Sequence, residues 1–144
     1  MKASDQLPPR TKVLFVCVGN SCRSQMAEAV ARHYAPHLID AESAGIAPLG
    51  RVAPEVLAVL QEMGIRAEGH YSKSINEVLQ YFEPQIVVNM SGQKLNGWFS
   101  TSEIVDWKID DPYDSDLEIY RCICRTIEAK VKKLTVELGR KKKK

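Results

Sequence analysis

A continuous apolar run, Val13-Leu14-Phe15-Val16, passes through Cys17-Val18-Gly19-Asn20-Ser21-Cys22-Arg23-Ser24 straight into a stretch of helical periodicity. An uninterrupted apolar segment reads as a strand covered on both faces. The short loop then requires a helix to start where that strand ends, which is a strand–loop–helix crossover. At such a turn several backbone N–H groups lack intrahelical partners and lie at the positive end of the helix dipole, so the loop can hold a tetrahedral oxyanion. Gly19-Asn20 supplies the turn chemistry. Cys17 stands at the mouth of this cradle, in a field that favours thiolate, and Arg23 adds a planar cation. The leading reading is a nucleophile in an anion cradle, with Val18, Gly19, Asn20, Ser21 and Cys22 as the oxyanion-binding loop.

Apolar runs at Val13–Val18, Ile39–Ser43, Gln85–Met90 and Ile104–Trp107 read as four short strands, the first and third continuous in character. Helical patterns alternate with them. Ser24–Ala35 carries Met26, Ala27, Val30, Ala31 and Tyr34 at helical spacing, and Ala53–Met63 has Pro54 near its first turn and Gly64 where a C-terminal cap belongs. Ile75–Tyr81 is a shorter helix. Leu117–Leu138 is a long one with Ile119, Ile123, Ile127, Val131, Leu134 and Leu138 on one stripe, closed by Gly139. The expected fold class is α/β, an open four-stranded parallel sheet with helices on both faces, and ligands bind such sheets beyond the carboxyl ends of the strands. The Cys17 loop occupies one such end. There is no internal repeat.

A chain of 144 residues with 44% hydrophobic content suits one domain. Its expected span is 12–139, after a loose lead over 1–11 and before a basic tail over 140–144. The absence of an 18-residue apolar stretch, and of an apolar core near Met1, argues against membrane insertion and secretion and for a cytoplasmic protein. Four cysteines in that setting are expected to be reduced. The net charge of +2 depends on Arg140–Lys144; without those five, 15 basic residues face 18 acidic ones, a net of −3. The tail reads as a solvated end rather than a nucleic-acid arm, since no aromatic interleaves its lysines. His33, His37 and His70 are too dispersed to suggest a metal site.

A second constellation, Trp107-Lys108-Ile109-Asp110-Asp111-Pro112-Tyr113-Asp114, lies between the last strand and the last helix. A departing alkoxide needs a proton, and water attacking a covalent intermediate needs a base; one carboxyl group near the cradle serves both steps. Asp111 is the candidate, because Pro112 holds it out of helical geometry and stiffens the loop. The alternative is an ordinary Asp-Pro turn. Asp110, Asp114 and Asp116 read as acidic complements to the N-terminus of the final helix.

These residues resemble the low-molecular-weight protein tyrosine phosphatase family, whose fold also includes the thioredoxin-coupled arsenate reductases. The resemblance spans about Lys12 to Leu138. It rests on Cys17–Ser24, the subsequent Gln25-Met26-Ala27-Glu28, Ser43-Ala44-Gly45 and Asp111-Pro112-Tyr113. It implies that Cys17 attacks phosphorus, Arg23 binds two equatorial oxygens in its fork, and the loop amides hold the rest. Asp111 then protonates the leaving oxygen and later activates the water that hydrolyses a cysteinyl-phosphate. No metal or organic cofactor is implied. Asn20 would support the loop's backbone and Ser24 would donate a hydrogen bond to the Cys17 sulfur, although Ser24 could equally cap the helix.

The expected activity is cysteine-dependent hydrolysis of a phosphorylated protein or a small phosphomonoester, with Tyr113 as one wall for an aryl group. Ile46-Ala47-Pro48-Leu49-Gly50 is aliphatic where the family's phosphatases usually place another aromatic. The alternative is an arsenate reductase. The stretch from Cys17 to Glu28 is strongly similar to those enzymes, and Gly69-His70-Tyr71-Ser72 resembles a segment of theirs. The reductases' resolving cysteine pair has no counterpart in Asn89–Trp98, so the reductant would be an external thiol or glutaredoxin. A non-catalytic oxyanion-binding module is the third reading. Cys122 and Cys124 read as helix packing, Cys22 as a thiol able to protect Cys17 in a reversible disulfide, and Trp98, Phe99 and Trp107 as packing groups.

Overall fold

A computed structural model describes residues 9–67, 69–95 and 97–142. The strands are β1 (Thr11–Cys17), β2 (Ile39–Gly45), β3 (Ile86–Asn89) and β4 (Glu103–Asp106); the helices are α1 (Arg23–Tyr34), α2 (Pro54–Glu62), α3 (Ile75–Leu79) and α4 (Leu117–Lys142). All strand pairs are parallel and the sheet order is β2-β1-β3-β4. The sheet is therefore the expected one.

Central β1 divides the core. Val13 and Phe15 join a larger cluster with Met26 and Val30 of α1, Val56 and Leu60 of α2, and Ile127 and Val131 of α4. Leu14 and Val16 point the other way, into a smaller cluster with Ile75 and Val78 of α3. This is why β1 reads as unbroken apolar sequence: Val13 through Val16 are each 0% exposed, and burying each such side chain contributes roughly 1.5–3 kcal/mol. Edge strand β4 is mostly exposed. Trp107 packs on the larger cluster, with its ring 5.9 Å from that of Phe15, while Trp98 and Phe99 pack on the smaller one.

Chain order reverses at β1, since β2 lies on one side of it and β3 on the other. That switch point opens a crevice at the carboxyl ends of β1 and β3, and Cys17 is the last residue of β1. The polypeptide leaves α2 through Gly64, whose φ of 71° lets the Ile65 N–H return to the Leu60 carbonyl at 2.9 Å and end the helix.

Three expectations are corrected. Gly139 does not close α4; its φ is not positive, and the helix continues through Arg140 to Lys142, because good helix formers on both sides outweigh the ~1 kcal/mol cost of one interior glycine. Residues 140–142 thus belong to a helix, and only 143–144 of the basic tail, like 1–8 of the lead, lie outside the described residues. Thr11 pairs with Ile39 and opens β1 rather than closing the lead. Cys124 packs, 3.5 Å from the Met63 sulfur, but Cys122 is exposed; two residues along a helix is a rotation of about 200°, off the buried stripe. Among the described residues no helix is long and apolar enough to cross a membrane.

Candidate active site

The Cys17–Cys22 loop is held by its carbonyls. Those of Cys17, Val18, Gly19 and Ser21 accept the N–H groups of Ile46, Ala47, Leu49 and Ala53 at 2.8–3.1 Å, and that of Asn20 accepts Gln25 Nε2 at 3.1 Å. With every carbonyl bonded outward, the N–H groups of Val18 through Cys22 find no acceptor among the described residues. That is the arrangement an oxyanion needs. Asn20 makes the turn with a left-handed φ of 46°, which asparagine tolerates. Beneath it Gly45 is obligatory, since an added Cβ would lie 2.8 Å from the Val18 oxygen and 2.9 Å from the Asn20 nitrogen.

Cys17 Sγ lies 2.9 Å from Ser24 Oγ, and Ser24 in turn accepts from Asn20 Nδ2 at 2.8 Å. Ser24 is thus not a helix cap; α1 begins after Cys22 with no side-chain cap. Arg23 is 6% exposed. Its Nη1 donates to the Met90 carbonyl at 2.5 Å and the Ile109 carbonyl at 3.1 Å, so it joins the end of β3 to the acidic loop. Its Nε is buried with no acceptor. A buried guanidinium nitrogen without a partner is costly, and an anion in the loop would remove that cost.

Asp111 Oδ2 stands 3.6 Å from Arg23 Nη2, while its Oδ1 accepts the Tyr113 N–H across Pro112 at 3.1 Å. The carboxylate is half exposed, open to solvent at the rim. Of the other acidic residues in this loop, Asp116 caps α4 through the Ile119 N–H at 3.1 Å. Cys17, Val18, Gly19, Ser21, Cys22, Arg23, Asp111 and Tyr113 line one cleft of about 290 Å³, with Ala47 and Leu49. The structure therefore brings these sequence-selected residues together. Asn20 and Ser24 lie behind the cleft wall, both 0% exposed. Cys22 turns its sulfur to the Tyr120 hydroxyl at 3.5 Å, and burial pushes its thiol pKa up, so at neutral pH it remains a thiol. Burial holds Cys124 at about 12.

A polar layer behind the cradle escaped the sequence reading. Gln25, Glu28 and Lys73 are buried, and the His70 side chain is 3% exposed. Gln25 Nε2 reaches Asn20 Oδ1 at 3.0 Å and the Tyr71 carbonyl at 2.9 Å, and its Oε1 lies 3.0 Å from His70 Nδ1. The Lys73 N–H donates to Asn20 Oδ1 at 2.8 Å, while its Nζ is 3.7 Å from Glu28 and from Glu42. Glu28 also pairs with Arg32 at 2.9 Å and accepts from Ser43. Burial, then the like charge of Glu28, pushes the Glu42 carboxyl up; burial pushes His70 down against the pull of Glu28. The available signal was Gln25 and Glu28 on the inward side of an otherwise apolar helix face.

This assembly can bind a tetrahedral oxyanion, attack its central atom with a thiolate and move a proton at the rim. The chain as a whole is similar to known proteins. A glutaredoxin arsenate reductase from Synechocystis sp. is 32% identical over 131 residues, covering 89% of this chain and 98% of that protein. A protein-arginine-phosphatase from Bacillus subtilis is 28% identical over 144 aligned positions, covering 88% and 95%. Among solved structures, an arsenate reductase in the phosphate binding state superposes with a TM-score of 0.81 at 31% identity, over 89% of this chain and 98% of that one. An arginine phosphatase from Geobacillus stearothermophilus gives 0.76 at 25% identity, over 91% and 94%. Residues 12–144 match the low molecular weight phosphotyrosine protein phosphatase family, and the chain belongs to it.

Proposed function

We propose that this protein is a Cys17-dependent arsenate reductase that draws its electrons from an external thiol. The observation that carries the reading is the meeting of Gln25, Glu28 and His70 behind Asn20. These residues come from the two stretches, Cys17–Glu28 and Gly69–Ser72, that resemble the arsenate reductases. Similarity to the Synechocystis glutaredoxin arsenate reductase over nearly its whole length supports the same choice and names a class of reductant.

In this chemistry the Cys17 thiolate displaces one arsenate oxygen, which leaves as water with a proton from Asp111, and a sulfur–arsenic(V) bond forms. Arg23 and the loop amides hold the remaining oxygens. An external thiolate attacks the Cys17 sulfur; the S–As bond breaks, its electron pair stays with arsenic, and arsenite departs as a mixed disulfide forms. A second thiol attacks that disulfide and regenerates Cys17. Two thiols are oxidised to one disulfide as arsenic gains two electrons.

Phosphomonoester hydrolysis is the second reading. It is favoured by the placement of Asp111 beside Arg23 and by the lack of cysteine in the segment after β3. The test is arsenate-dependent oxidation of glutathione, with and without glutaredoxin, beside hydrolysis of p-nitrophenyl phosphate, for wild type and Cys17→Ser. Thiol-dependent arsenate turnover lost in the variant is the expected result. Hydrolysis without arsenate turnover moves the protein to the second reading, and neither activity leaves an oxyanion-binding module.

A further inference from the structure

We infer that the catalytic cleft continues into a charged recess that binds the α-amino-acid end of the reducing thiol, with Arg51 as the anchor for its carboxylate. The recess measures about 170 Å³ and shares two walls with the cleft, Ser21 and Tyr113. Three charged side chains line it: Arg51 just before α2, Glu55 in the first turn of α2, and Asp114 from the acidic loop. Among the described residues none of the three has a hydrogen bond or an ion pair through its side chain. Arg121 on neighbouring α4 behaves differently, engaging both Glu62 and Glu118. One cation and two carboxylates that share a small recess without pairing form a pattern that a zwitterion completes.

Both sides of the recess are fixed relative to the cradle. The Ala53 N–H donates to the Ser21 carbonyl at 3.0 Å, which ties the segment from Arg51 to Glu55 to the anion-binding loop, and Pro54 opens α2 with a set φ. On the other side the Ser115 N–H closes a turn on the Pro112 carbonyl at 2.8 Å, and Asp114 takes a left-handed φ of 65°, which aspartate tolerates. A second oxyanion placed here would meet two carboxylates against one arginine, so arsenate is directed to the cradle and not to the recess. An α-carboxylate suits the planar fork of Arg51, and the α-ammonium beside it suits Glu55 and Asp114. A molecule held by that head extends past Ser21 and Tyr113 into the cleft that Cys17 lines. The chemical class is a thiol joined by a short flexible chain to an amino-acid head, as in glutathione, whose γ-glutamyl end carries the ammonium and the carboxylate on one carbon. The inference rests on the reductase reading and adds to it the means of choosing among thiols.

The test separates docking from turnover. S-methylglutathione has the head but a blocked sulfur, and its binding to the full chain is measured by calorimetry; S-methylcysteine carries the same head on a shorter chain and distinguishes free cysteine from a γ-glutamyl peptide as the occupant. Binding of either is the expected result, weakened about tenfold by Arg51→Gln and by Glu55→Gln. In arsenate turnover Arg51→Gln should raise KM for the bound thiol about tenfold with kcat unchanged, and leave the rate with uncharged 2-mercaptoethanol as in wild type. Binding of neither S-methyl compound to wild type would overturn the inference, as would equal affinity in folded Arg51→Gln; arsenate turnover with 2-mercaptoethanol would then leave the reductase reading intact. Binding that depends on Arg51, in a protein without thiol-dependent arsenate turnover, would overturn that reading and with it the role of the recess in reduction.

Discussion

Replacing Gly45 by alanine tests the cradle without touching a reacting group. The new Cβ would meet the Val18 oxygen at 2.8 Å and both the Asn20 nitrogen and Cβ at 2.9 Å. Two of these three atoms are main chain, so no rotamer change relieves the overlap. Reaching ordinary contact requires a displacement on the order of half an ångström, at an overpacking cost of about 1–3 kcal/mol. The displaced atoms are the loop itself. Amides set for anion bonds of about 2.7–2.9 Å leave that window under such a shift, and one weakened charge-assisted bond is worth about 1.5–3 kcal/mol. Orthophosphate affinity, measured by calorimetry, should therefore fall between about 10- and 150-fold. The urea midpoint should fall with it. Phosphate binding within twofold of wild type in a folded Gly45→Ala protein would refute the claim that this backbone packing sets the cradle.

Gly139→Ala should act in the opposite sense, raising stability by about 0.5–1 kcal/mol in urea unfolding, because its Cβ would meet only Leu38 Cδ1 at 4.0 Å. Arg23→Lys keeps the charge but cannot bond Met90 and Ile109 while presenting two further donors; turnover should drop about 100-fold or more, with a raised KM for the oxyanion. For pH, His70 titrates below its ordinary 6.5 when folded, so the unfolded chain takes up its proton first as pH falls. The neutral ring's contribution is complete above about 6.5 and is lost as pH falls through the folded value. The urea midpoint should accordingly decline between pH 7 and 5, and less steeply in His70→Asn; equal slopes would exclude His70 as the source.

Legibility in the sequence was local. The apolar runs of β1 and β3 can be read because both faces of those strands are covered, and the Cys17–Ser24 loop because its chemistry is contiguous. Asp111 was a candidate through its loop between the last strand and the last helix, through Pro112 and through the likeness of Asp111-Pro112-Tyr113 to the family, and its approach to Arg23 became visible only when β4 was seated beside β3. The polar layer was hidden for the same reason. His70 lies 45 residues from Gln25 along the chain, and Lys73 reads as a surface lysine until Glu28 and Glu42 surround it. Gly139 misled because a glycine caps a helix only where the next residues leave it, and Arg140 and Lys141 sustain one. Cys22 looked like a partner for Cys17, whereas its sulfur is held by Tyr120 on α4, a contact that no spacing within the loop encodes.

The most direct measurement is intact-protein mass spectrometry of reduced wild type incubated with glutathione, with and without arsenate, and then peptide mapping. Arsenate-dependent formation of a mixed disulfide between glutathione and Cys17, absent in Cys17→Ser, is the predicted result. A Cys17 that stays unmodified with both reagents present, in protein that binds arsenate, would contradict reduction by an external thiol.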